Sequence, residues 1–167
     1  MHTLISTLAL VVLASGCSDK RFRQNGSSAM SPTIQPNESV VADMSAFRKN
    51  GPQRWDVVVF HAPPKETFTQ PQEIWVMRVI GLPGESLEIR DDGVYVDGKR
   101  EAQPDRLAGI RYVASISRSP QPSVVAYPYK IAPDTYFVVG DNTTNSFDSR
   151  FWGALSRQSI LGRVKDK

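Results

Sequence analysis

One cysteine and two histidines in 167 residues are too few for a disulfide within the chain or for a dedicated metal site at any recognised ligand spacing. No metal or other cofactor is expected. Charge of one sign is also scarce: 20 Lys and Arg against 17 Asp and Glu leave a net charge of +3. No basic stripe with interleaved aromatics and no glycine-rich phosphate loop occurs, so nucleic acid is not an expected partner. No apolar run comfortably reaches the ~20 residues that a membrane-spanning helix needs. Twelve prolines argue against long helices, and no internal repeat is present.

What is present is a series of short apolar runs separated by turn residues. They predict strands at 39–42, 56–60, 74–80, 86–90, 93–96 and 136–139. Pro36-Asn37 marks a turn, and Asp97-Gly98 in VYVDGK is a two-residue hairpin signal. Residues 18–26 read as a polar linker. Residues 101–134 read as an insertion, with a strand-like core at 110–116 and a Ser/Pro-rich tip at 117–123. The 40% hydrophobic content suits one small core, so residues 27–167 are expected to form a single mainly β domain.

The densest polar segment is 140–153, GDNTTNSFDSRFWG, which leaves an apolar strand and gathers hydroxyls, amides and charges. On residue chemistry alone this is a loop capped by its own Asn and Asp side chains. The spacing G-D-N-x-x-N-S-x-D-S-R-x-x-G nevertheless resembles the C-terminal box of type I signal peptidases, the Ser/Lys proteases that cut signal peptides from exported proteins. Three further segments resemble that family in order: AMSPTI at 29–34 the nucleophile box, RWDVVVF at 54–60 a strand usually written G-D-[IV]-V-V-F, and VMRVIGLPG at 76–84 the base box.

The resemblance implies a signal-peptidase-like, β-ribbon-rich fold with a small inserted β segment. It also implies roles for individual positions. The nucleophilic serine would stand before Met30, where this chain has Ala29, and the base lysine before Arg78, where it has Met77. A Ser/Lys pair works because a desolvated lysine has a lowered pKa and takes the serine proton. Alanine and methionine keep the shape and remove the chemistry. Ser27 falls where the family has an oxyanion-stabilising hydroxyl, and Ser146 where a serine orients the base. Arg78 with Asp141, and Asp148 with Arg150, resemble architectural ion pairs, while Asn142 and Asn145 complete the polar box. Trp55 stands where the family has glycine.

A groove for extended peptide beside these strands is implied, with Ser28, Met30, Trp75 and Val76 as expected lining. In an extended segment Ser28 and Ala29 would point to opposite faces. Lys65 and Lys99 are expected in loops, solvated and charged. His61 is expected to be exposed after its strand. The leading expectation is a non-catalytic protein holding an extended peptide or a protein partner. The alternative is an active peptidase using Ser27, Ser28 or Ser31 with an unconventional base. Repressor-type Ser/Lys autoproteases share a similar core, but the long C-terminal box and the lack of a DNA-binding half disfavour them.

The N-terminal segment is apolar over 3–16 and ends Leu13-Ala14-Ser15-Gly16-Cys17. This resembles a bacterial lipoprotein signal, residues 1–17, with Cys17 the lipidated residue. Lys20, Arg21 and Arg23 follow the apolar run and none precede it. An uncleaved helix obeying the positive-inside rule would leave the domain in the cytoplasm, whereas a lipid-anchored domain sits on the extracytoplasmic face of an envelope membrane.

Overall fold

A computed structural model of the chain describes residues 18–23, 26–63, 73–115 and 125–167. Cys17 and the rest of the lipoprotein-like segment, Lys65 and the 117–123 tip lie outside the described residues. The strands are β1 (Asp19–Arg23), β2 (Ser39–Asp43), β3 (Val57–His61), β4 (Ile74–Gly81), β5 (Ser86–Arg90), β6 (Gly93–Val96), β7 (Lys99–Arg100), β8 (Tyr129–Lys130), β9 (Thr135–Val139), β10 (Leu155–Ser156) and β11 (Ile160–Val164). The single described α-helix, α1 (Ser149–Trp152), is one turn long. The fold is mainly β, as the sequence pattern predicts.

Seven strands form one antiparallel sheet in the order β1-β2-β11-β3-β4-β9-β10, and four form a second in the order β7-β6-β5-β8. The long apolar runs of β4 and β9 serve both cores, which is why they do not alternate with polar residues. Tyr136 and Val138 pack with Val57–Phe60, Met77 and Met30, whereas Phe137 and Val139 turn to Ile80, Leu87, Ile89 and Tyr112. At the β6–β7 turn, Asp97 and Gly98 both have positive φ (49° and 77°), the geometry that a two-residue hairpin of this sequence requires.

Several expectations are corrected here. The predicted linker at 18–26 instead contributes β1, paired along its length to β2 from Asp19↔Asp43 to Arg23↔Ser39. Its DKRFR sequence hides the strand because the only large apolar side chain is Phe22, and an edge strand tolerates charge. The strand predicted at 110–116 is irregular through its described part, although Ile110 and Tyr112 are buried in the second core. His61 also differs from expectation: it ends β3, half-buried, with Nδ1 lacking a hydrogen-bond partner. Lys99 lies exposed in β7, on the second sheet.

Candidate functional site

The end of β1, the segment after it and the first half of β4 meet at a groove of about 510 Å³. Phe22, Ser27, Ala29, Trp75, Val76 and Met77 line it together with Phe147, and Arg23 and Glu73 are its charged residues. Ala29 and Met77, far apart in sequence, therefore face the same space. β4 pairs with β3 over its first five residues, from Val57↔Arg78 to His61↔Ile74, but its pairing with β9 begins only at Arg78. On that side Ile74–Met77 has no strand neighbour among the described residues.

The segment carrying Ala29 turns rather than extends. The Ser31 N–H donates to Ser28 O (3.0 Å) and the Ile34 N–H to Met30 O (2.9 Å), with Met30 and Ile34 fully buried as anchors. The C-terminal box holds this turn directly. The Asn142 N–H donates to Ala29 O (2.9 Å), Asn142 Nδ2 to Ser28 O (3.1 Å) and Asn145 Nδ2 to Ser28 Oγ (2.9 Å). Ser28 is thus engaged by Asn145, and Met30 is core. Neither lines the groove, which corrects their expected place there, while Trp75 and Val76 do line it. Ser27 Oγ accepts from the Ala29 N–H at 3.3 Å, so two polar groups sit together at the groove.

Behind the groove two buried ion pairs are fully furnished with partners. The Arg78 guanidinium donates through Nε and Nη2 to both Asp141 oxygens (2.8 and 2.7 Å) and through Nη1 to Trp55 O (2.7 Å). Asp141 also accepts from Thr33 Oγ1 (2.5 Å) and from the Tyr112 hydroxyl (3.1 Å). Burial opposes the Arg78 charge, but its bonds to Asp141 outweigh that and hold its pKa above the ordinary guanidinium value. Burial, then the Asp141 carboxylate, pushes the Tyr112 phenol up, so it stays a neutral donor. Trp55 takes a positive φ of 73°, the conformation that glycine adopts without cost, and its ring stacks on Tyr112 with centroids 5.9 Å apart.

The second pair joins Arg150 Nε and Nη2 to Asp148 (2.8 and 2.7 Å). Asp148 also accepts from the Gly140 N–H (3.0 Å) and caps α1 through the Arg150 N–H (3.2 Å). Three consecutive residues of the insertion bind this box: Arg111 O accepts from Thr143 Oγ1 (2.7 Å), Tyr112 donates to Asp141, and Val113 O accepts from Arg150 Nη1 (2.9 Å). Sequence reasoning missed this strut. The signal was Tyr112 among the apolar Ile110, Val113 and Ala114, because a buried tyrosine hydroxyl needs an acceptor.

Ser146 is the exception. It is 6% exposed, and its Oγ has no hydrogen-bond partner among the described residues. A Cβ at Gly140 would run into Ser146 Oγ and Ala29 O, so glycine there lets the box close against the Ala29 turn. Among the described residues no group of His, Cys, Asp and Glu is placed to hold a metal ion, and no helix is long and apolar enough to cross a membrane.

The chain belongs to the signal peptidase, peptidase S26 family, whose family model matches residues 1–166. It is 33% identical over 138 residues to a probable signal peptidase I-2 of Synechocystis, covering 83% of this chain. It is 34% identical over 167 residues to a signal peptidase I of Leptolyngbya laminosa, covering 96% of this chain and 75% of that one. The chain spans 58% of the length of the Synechocystis relative. Among solved structures, a signal peptidase I from Enterococcus faecalis V583 aligns at 30% identity with a TM-score of 0.49, over 67% of this chain and 95% of that one.

Proposed function

We propose that this chain is a signal-peptidase scaffold without peptidase activity, which holds an extended peptide segment, free or within a protein partner, at an envelope membrane. The observation that carries this reading is that Ala29 and Met77, the residues at the family's nucleophile and base positions, line one groove. Alanine has no oxygen to attack a carbonyl, and a thioether takes no proton at neutral pH. The groove itself outlasts that loss. The free side of Ile74–Met77 supports pairing with an added strand, and Trp75 and Phe147, edge-to-face with centroids 6.4 Å apart, give it an apolar wall. The lipobox-like segment ending at Cys17 supports a membrane tether.

The competing reading, an active peptidase with a substitute dyad, has Ser27 in the groove as its hydroxyl. No lysine or histidine is among the described groove residues to activate it. The two readings separate when the full chain in detergent is given a fluorogenic signal-peptide substrate and an uncleavable version of the same peptide. The proposal expects no turnover, and saturable binding that quenches or shifts tryptophan emission and is lost in Val76→Arg. Turnover abolished by Ser27→Ala would establish the competing reading, and absence of both turnover and binding would remove the peptide from the proposal.

A further inference from the structure

Two charged residues line the otherwise largely apolar groove, Arg23 at the end of β1 and Glu73 just before β4. Arg23 Nε donates to Asn37 O (3.4 Å), whereas the exposed Glu73 carboxylate has no ion pair or hydrogen bond among the described residues. An exposed glutamate is ordinarily a solvated surface group. Glu73 differs in that its backbone is fixed: its carbonyl accepts from the Ala62 N–H (2.9 Å), which carries the β3–β4 ladder one residue beyond His61↔Ile74. Alternate side chains of an extended run share a face, so Glu73 stands on the face of Trp75 and Met77. The Trp75 ring beside it is held edge-on by Phe60 and Phe147, each with centroids 6.4 Å away. An unpaired carboxylate and a fixed aromatic ring therefore lie two residues apart along one wall of the groove.

We infer that Glu73 sets a charge preference in the groove, and that the extended segment held there carries one lysine or arginine placed to meet it. This rests on the peptide-binding reading of the groove and names the kind of peptide that the groove takes. A basic side chain suits both neighbours, because its aliphatic stem and its charge can lie against Trp75 while its head reaches the carboxylate. Glu73 precedes Met77 by four positions, which is about 13 Å along an extended strand at ~3.3 Å per residue. The cation therefore stands about four residues from the part of the peptide beside Ala29 and Met77. Arg23 on the other wall repels a second cation, so the preference is for one placed charge rather than for a generally basic peptide. Because Glu73 is exposed, its pairing is screened by solvent, and the expected gain in affinity is about two- to fivefold.

The test is a lysine scan: the full chain in nonionic detergent is titrated into labelled, uncleavable signal-peptide analogues, each with a single lysine moved one position along, and binding is read by fluorescence anisotropy. The inference expects tighter binding, by about two- to fivefold, at one position only, with the gain fading at high salt. Glu73→Gln should abolish that gain and keep the binding of the lysine-free peptide, and Glu73→Lys should transfer the preference to a glutamate at the same position. Arg23→Gln should leave the favoured position where it is. A flat scan on a peptide that still binds, or a gain that survives Glu73→Gln, would overturn the role of Glu73 and leave the peptide-binding groove standing. A chain that binds none of the peptides would overturn the peptide-binding reading and this inference together.

Discussion

Met77 and Arg78 are neighbours on β4, and their surroundings could hardly differ more. Arg78 is completely buried with each of its nitrogens engaged, bonded to Asp141 and Trp55 and backed by Thr33 and Tyr112. Met77 sits at the groove with Ala29, near a box whose Ser146 hydroxyl finds no partner. On one side of the strand the Arg78–Asp141 pair is fully bonded. On the other, Ala29 and Met77 present carbon and sulfur to the groove. The contrast separates the charges that hold the shape of such a site from the groups that face its groove.

The largest expected effect comes from breaking the satisfied side. Asp141→Ala leaves the Arg78 guanidinium buried without its counter-charge, and such a loss costs about 3–5 kcal/mol. Urea denaturation checks it, and a loss below about 1 kcal/mol would mean that Arg78 readily finds water. Tyr112→Phe removes one bond to a carboxylate that keeps three other contacts, so a cost of about 1–2 kcal/mol is expected. Exchange at the Asn142 amide, which bonds Ala29 O, should rise more than exchange in β5 and β6. Uniform acceleration would make Tyr112 an ordinary core residue rather than a strut.

Ser146→Ala probes the unsatisfied side and should be the reverse, neutral or stabilising by up to about 1 kcal/mol, because it removes a buried hydroxyl with nothing to bond. Loss of stability there would reveal a hidden partner for Ser146. The smallest effect concerns acid. Hydrogen bonds, first from Ser45 and then from Ser18, hold Asp43 down to about 2. Its folded pKa lies below the ordinary 3.8, so its contribution is present above that value and disappears as pH falls toward 2. Asp43→Asn should therefore flatten the acid limb of the stability curve between about pH 4 and 2. An unchanged limb would show that Ser18 is not held through this carboxylate.

Much of the fold was legible because apolar runs in short strands leave few alternatives: β5 and β6 fall where alternation places them, and β2, β3, β4 and β9 differ by a residue or so at their ends. The Arg78–Asp141 pair was legible only through family resemblance, since no local pattern joins the two, whereas Asp148 and Arg150 stand two residues apart in one polar segment. β1 was not legible because its charges suit an edge strand and a linker alike. The turn at 28–34 was read as extended because, beyond its own two backbone bonds, what holds it is Asn142 and Asn145, more than a hundred residues away. The insertion's grip on the box, through two carbonyls and one phenol, leaves almost no mark on side-chain identity.

The central claim is that a groove has been kept while its chemistry is absent. The most direct measurement compares cleavage of a fluorogenic signal-peptide substrate by the full chain and by its Ala29→Ser/Met77→Lys variant. The account predicts an inert parent and a variant that cleaves after small residues, with Ser146 available to the restored lysine. A parent that cleaves, and loses that activity when Ser27, Ser28 or Ser31 is changed to alanine, would contradict it.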